Sequence, residues 1–190
     1  MERKENLIPP HGGYRKLKSY QSAEIVYDLT VKFCERYIDR SHGTNRTYDQ
    51  MVQAARSGKQ NIAEASQASG TSKKTELKLM NVARASLEEL LLDYEDFLRQ
   101  RNLQQWKKED FKATAVRKLA YESNRSYKTY LTYLEKPENS ANCLICLINQ
   151  TNYLLDKLLE KLGKDFVDKG GFTERLYKIR TRRRDKNPLF

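Results

Sequence analysis

Between Ser72 and Arg101, the apolar residues Met80, Ala83, Leu87, Leu90, Tyr94 and Phe97 recur at alternating intervals of three and four. That is the spacing of one helical face and forms a nearly complete heptad seam. Leu77, Leu91 and Leu98 widen it, so this helix is expected to be buried on more than one side. Ser72 is placed to cap its first turn, after a Ser69-Gly70-Thr71 loop. A helix that must be covered from several directions needs amphipathic partners, and the rest of the chain supplies them.

A first helix is predicted from about Lys18 to Asp39, its stripe formed by Ala23, Val26, Leu29/Thr30, Phe33 and Tyr37 and its end by Ser41-His42-Gly43. A second is predicted from about Thr47 to Ala68. Its inner face is Met51, Ala55, Gly58, Ile62 and Ala65; such small side chains let two helix axes come close. Gly58 costs about 1 kcal/mol relative to Ala inside a helix, which calls for a packing reason. An additional helix over about 110–134, with Asp110 as cap, shows a weaker stripe of Phe111, Ala115, Leu119, Tyr127, Leu131 and Leu134, and Pro137 is expected to end it. The last long helix runs from about Ala141 to Asp168 on Leu144, Ile145, Ile148, Leu155, Leu158, Leu159, Leu162 and Phe166, with Gly170-Gly171 closing it. Residues 1–14 read as a loose polar arm, 15–168 as the helical bundle, and 169–190 as a basic extension with a turn or two of helix before it frays.

Composition supports an all-α chain. Of 190 residues, 38% are apolar and 32% charged, too wet to cover both faces of a parallel sheet but suited to half-buried helices. Eight Gly and four Pro give too little turn punctuation for an all-β protein. No apolar run reaches the roughly 18 residues of a membrane span, and the opening MERKENLIPPHGG has no signal-peptide core, so a cytoplasmic protein without membrane attachment is expected. Cys34, Cys143 and Cys146 are too few and too awkwardly spaced for a disulfide framework.

The 36 basic residues against 25 acidic give a net charge of +11, which favours an anionic partner such as nucleic acid. The excess is uneven: residues 101–140 hold nine basic and five acidic side chains, and residues 169–190 hold eight and two. The tail cations Arg175, Lys178, Arg180, Arg182, Arg183, Arg184 and Lys186 are the first candidates for phosphate contacts, since arginine forks match phosphate geometry. A plain solvated tail is the competing reading. Arg56 and Lys59, one turn apart on the second helix, form a smaller candidate spot with a solvent face as its alternative. Tyr127, Tyr130 and Tyr133 stand near Arg125 and Lys128 and could stack on bases, but packing against the bundle suits them better.

Chemistry finds little footing. Cys143 and Cys146 form a CxxC, yet Leu144, Ile145, Leu147 and Ile148 surround it, which suits buried cysteines more than a redox pair. Zinc would need two further ligands, and His11, His42 and Cys34 lack the spacing. There is no Glu-x-x-His for a di-iron site. Gly58-Lys59 lacks the earlier glycine and the following hydroxyl of a phosphate loop, where Gln53 and Gln60 stand. No cofactor, metal or catalytic residue is expected, and the chain is read as a non-enzyme.

Four segments carry a family resemblance: Tyr14-Arg15-Lys16-Leu17, Gln53-Ala54-Ala55-Arg56, Asn61-Ile62-Ala63-Glu64 and Ala85-Ser86-Leu87-Glu88-Glu89-Leu90. Over Tyr14 to about Leu103, and again over Asn142 to Tyr177, the chain resembles the bacterial four-helix bundle proteins. These are known from intervening sequences in large-subunit ribosomal RNA genes and as accessory factors of diversity-generating retroelements. Ala65 stands where a glycine commonly follows the glutamate, and Ser57-Gly58-Lys59-Gln60 replaces a proline-containing stretch, so a straighter second helix is expected. The resemblance implies an antiparallel up-down four-helix bundle, often a homopentameric ring, with no catalytic residues. It implies binding of RNA or DNA and of a nucleic-acid enzyme such as a reverse transcriptase. The expected function is therefore an oligomeric nucleic-acid-binding scaffold, with a protein–protein adaptor as the alternative.

Overall fold

The structure, a computed structural model, describes residues 6–38 and 45–186, with the backbone alone for Asn45 and Lys186. It contains α1 (Lys18–Tyr37), α2 (Asn45–Ala68), α3 (Lys73–Gln100), α4 (Phe111–Leu119), α5 (Pro137–Lys169) and α6 (Phe172–Lys186). Short 3-10 helices cover Tyr14–Lys16 and Tyr127–Glu135, and no strand occurs among the described residues. The Ser41-His42-Gly43 helix end, residues 1–5 of the arm and residues 187–190 of the tail lie outside the described residues. No helix among those described is long and apolar enough to cross a membrane.

α3 is buried as its seam requires. Met80, Ala83, Leu87, Leu90, Tyr94 and Phe97 all lie in the core, and Leu91 and Leu98 join them from the flanks. α2 packs on α1 and α3, and α5 packs on α3 and α1, so the four long helices enclose one core. Cys34 meets Met51 and Lys59 meets Tyr27, which runs α1 and α2 in opposite directions. Arg84 meets Asp156 and Glu88 meets Asn152, which does the same for α3 and α5. At the centre, the Phe33 ring sits 4.9 Å from Tyr94 and 4.8 Å from Phe97, both edge-on. The Tyr94 hydroxyl donates to Thr30 Oγ1 at 3.0 Å, and that hydroxyl donates to the Val26 carbonyl at 2.7 Å. A fully buried tyrosine is thus satisfied without water.

The packing reason for Gly58 is explicit. A Cβ there would stand 2.7 Å from Leu87 Cγ and 2.8 Å from its Cδ2. The missing side chain lets α2 close on α3, and Ser57 and Ser86 bridge beside it at 2.9 Å. The small-residue face of α2 therefore packs inside this chain.

Three helix assignments need correction. The additional helix over 110–134 is broken into α4 and the 3-10 helix Tyr127–Glu135. Its stripe is out of phase at the start, where Ala113 and Val116 are buried while Phe111 is 78% exposed and Ala115 is also exposed, but Leu119, Tyr127 and Leu134 pack on the core as expected. The break follows from the polar run Glu122-Ser123-Asn124-Arg125-Ser126. Ser126 caps the next helix, with its side chain accepting from Lys128 N and its own N–H donating to Thr129 Oγ1, a local alternative to continued α-helix. Secondly, Pro137 starts α5 rather than merely ending the preceding segment, because a first-turn proline has no helical N–H to forfeit. Thirdly, the tail holds a helix of 15 residues, not a turn or two. Glu174 accepts from the Gly171 N–H at 2.8 Å and so closes the first turn, and the Arg, Lys and Leu that follow favour helix.

Asp110 and Ser72 cap α4 and α3 as expected, accepting from Lys112 N and Thr75 N. Gly170, at φ 71°, terminates α5 with its N–H on the Phe166 carbonyl. The described part of the arm is not loose: Gly12 N–H donates to the Ser66 carbonyl at 3.0 Å, and Gly70 leaves room for His11.

Candidate nucleic-acid interface

The candidate cations divide by what holds them. In α6, Arg175 is half-buried and donates to the Leu7 carbonyl at 3.2 Å, tying the helix to the arm. Lys178, Arg180, Arg182, Arg183 and Arg184 are exposed. Arg184 has Asp185 at 3.8 Å, too long for a strong ion pair in water. For Lys186 the backbone continues the helix. No other helix packs extensively along α6 among the described residues, so its cations stand on a rod about 22 Å long. Steps of 100° spread them around its circumference instead of into one stripe.

The α2 pair is different. Arg56 is exposed, but the Lys59 ammonium lies 4.4 Å over the Tyr27 ring and beside Asp28. That is an interhelical cation–π contact, so Lys59 contributes to joining α1 and α2. α6 packs extensively on neither α2 nor any other helix among the described residues, so the structure does not gather the sequence candidates into one packed patch.

The tyrosines near Arg125 pack inward. Tyr130 is fully buried, and Tyr127 and Tyr133 lie partly buried against the core. Lys32 sits 5.2 Å from the Tyr127 ring. Cys143 is buried and Cys146 partly so. Burial pushes both thiols up, Cys146 to about 11 despite nearby Arg117. At neutral pH they are thiols, not the thiolates that attack disulfides or bind metals. No group of three or more His, Cys, Asp or Glu is placed to hold a metal ion among the described residues.

Sequence reasoning missed a second set of cations. Lys18, Lys107, Lys108, Arg117 and Arg125 line a common cleft between α4 and α5. The basic balance of residues 101–140 pointed to part of it. Lys18, from a distant helix, could not be added without the tertiary structure. No family model, curated protein or solved structure matches the chain.

Proposed function

We propose that this chain is a non-catalytic, oligomeric scaffold that binds nucleic acid, built as an antiparallel up-down four-helix bundle from α1, α2, α3 and α5. The observation that carries the reading is α6: a four-turn helix with five exposed cations and, among the described residues, no helix packed extensively along it. A helix of that kind adds little to the core, and its charge is available to phosphates. The family resemblance supports the same reading and adds a ring of identical subunits and an accessory role beside a nucleic-acid enzyme. Charge repulsion between α6 helices in such a ring would be relieved by a bound polyanion.

Binding to a duplex and to a single strand across a salt series tests this. Affinity should fall by about 0.9 log units per log unit of salt for each phosphate neutralised on a duplex, and by about 0.7 on a single strand. Replacing Arg180, Arg183 and Arg184 by Gln should lower that slope by about one for each phosphate the variant no longer neutralises. Salt-independent binding, or a slope unchanged in the variant, would leave the adaptor reading instead. Light scattering of the purified chain, with and without RNA, measures the subunit number directly.

A further inference from the structure

The cleft between α4 and α5 has a volume of about 880 Å³ and a mostly apolar lining. It is a held feature rather than a gap between loose segments. The Asn142 side chain, 1% exposed, accepts from the Trp106 backbone N–H at 2.7 Å and donates to the Gln104 carbonyl at 2.8 Å. This fixes the chain before α4 onto α5. On the other wall, Gln150 donates to the Arg117 carbonyl at 3.2 Å, and Arg117 donates to the Lys108 carbonyl at 2.5 Å and to Thr114 Oγ1 at 2.9 Å.

Three aromatic residues line this cleft: Trp106, Tyr121 and Tyr153. Tyr121 is 90% exposed and Tyr153 62%, so neither ring serves the core. Two buried polar atoms of lining residues, Trp106 Nε1 and Gln150 Oε1, have no hydrogen-bond partner among the described residues. They are one donor and one acceptor. Both atoms are closed to solvent, so they lie beneath the wall of the cleft and not on its open surface. Around the cleft stand Lys18, Lys107, Lys108, Arg117 and Arg125 against a single carboxylate, Glu122. Apolar floor, exposed aromatic faces and a cationic rim are together the features that hold unpaired nucleotides. A duplex keeps its bases stacked inside and cannot present one here.

We propose that the cleft takes an unpaired nucleotide of a single-stranded nucleic acid, its base stacked on Tyr121 or Tyr153 and its phosphates on the lysine rim. This rests on the nucleic-acid reading above but on residues apart from α6. The two sites divide the work: α6 holds phosphates of any strand, and the cleft selects strands whose bases are free.

Trp106 is the only tryptophan in the chain, so its emission reports on the cleft. The full chain is titrated at low salt with a single-stranded RNA of about ten nucleotides, a duplex of the same length, and a nucleoside monophosphate. Saturable quenching by the single strand is expected, with little by the duplex and much weaker binding of the monophosphate. Tyr121→Ala and Tyr153→Ala, both at exposed positions, should keep the wild-type melting temperature, and at least one should weaken single-strand binding about tenfold. Lys107→Gln with Lys108→Gln should lower the single-strand salt slope by about 0.7 for each phosphate that these lysines neutralise. Single-strand binding untouched by both tyrosine substitutions, or equal quenching by duplex or monophosphate, overturns the proposal. If the cleft fails while the glutamine variant of α6 still loses phosphate binding, only the cleft reading falls. If the cleft variants act and the α6 variant does not, α6 is the reading that falls.

Discussion

The α2–α3 contact and α6 are both helical, yet they are held by opposite means. At the first, Gly58 and Leu87 are so close that one carbon atom would not fit. At the second, exposed arginines surround a helix with no other helix packed extensively along it among the described residues. Positions in the first are fixed by volume, because interiors are packed as densely as organic crystals. Positions in the second answer only to helix propensity and charge. The net charge of the protein gathers where packing imposes least, in α6 and in the segment around α4. Charge there costs the fold little desolvation and stays available to a partner.

The largest effects should come from the packed region. Leu87→Ala removes a fully buried side chain and should cost about 2–5 kcal/mol, the usual range for such truncations. Gly58→Ala gains about 1 kcal/mol of helix propensity but pushes a methyl group into Leu87, and overpacking costs about 1–3 kcal/mol. A net loss of about 1 kcal/mol is expected from these two opposing effects. The double variant should lose less than the sum, because the alanine at 58 fills part of the space vacated at 87. Urea denaturation of the four proteins measures this coupling, and strict additivity would show that the two sites do not share that space.

How far the sequence disclosed these regions follows from what each depends on. The α3 seam was legible because six apolar residues kept the helical period over many turns. Gly58 was legible as an anomaly, although its partner Leu87 was not. The stretch 110–134 was misread because helical spacing can be traced through Phe111, Ala115 and Leu119 when nothing weighs the polar residues 122–126 against them. The α6 cations could be read directly, since they are neighbours in sequence; the helix under them could not, as it lacks an apolar stripe. The cleft was out of reach. Lys18, Trp106, Arg117 and Tyr153 lie on separate segments and meet only after α4 and the chain before it dock on α5.

A smaller effect is expected on the outer side of α3. Asp93 is partly buried, and burial, followed by the negative charges of Glu89 and Asp96, raises its carboxyl to about 6. A carboxyl raised on folding binds its proton more tightly in the native state than in the unfolded chain. Stability therefore falls as pH rises from about 4 to about 6, and the loss persists above that window. Asp93→Asn removes the buried charge and should stabilise the protein by about 1 kcal/mol at pH 8, after allowing for solvent screening. Near pH 4 it should have almost no effect. Denaturant midpoints at both pH values decide; an equal gain at each would trace the effect to packing or helix propensity.

The smallest effect should be on α6. Replacing Arg180, Arg183 and Arg184 by Gln changes no residue of the core and, among the described residues, breaks the weak Arg184–Asp185 pair. Stability should move by no more than about 0.5 kcal/mol, and relief of like-charge repulsion makes a slight gain as reasonable as a slight loss. A loss of about 2 kcal/mol or more, beyond the range of ordinary surface substitutions, would mean that these cations hold something in the assembled protein, such as an acidic face of a second copy. The contrast between a packed interior and an exposed basic helix would then fail. With stability unchanged and phosphate binding reduced, α6 is separable from the fold that carries it, because its charge serves the partner and not the core.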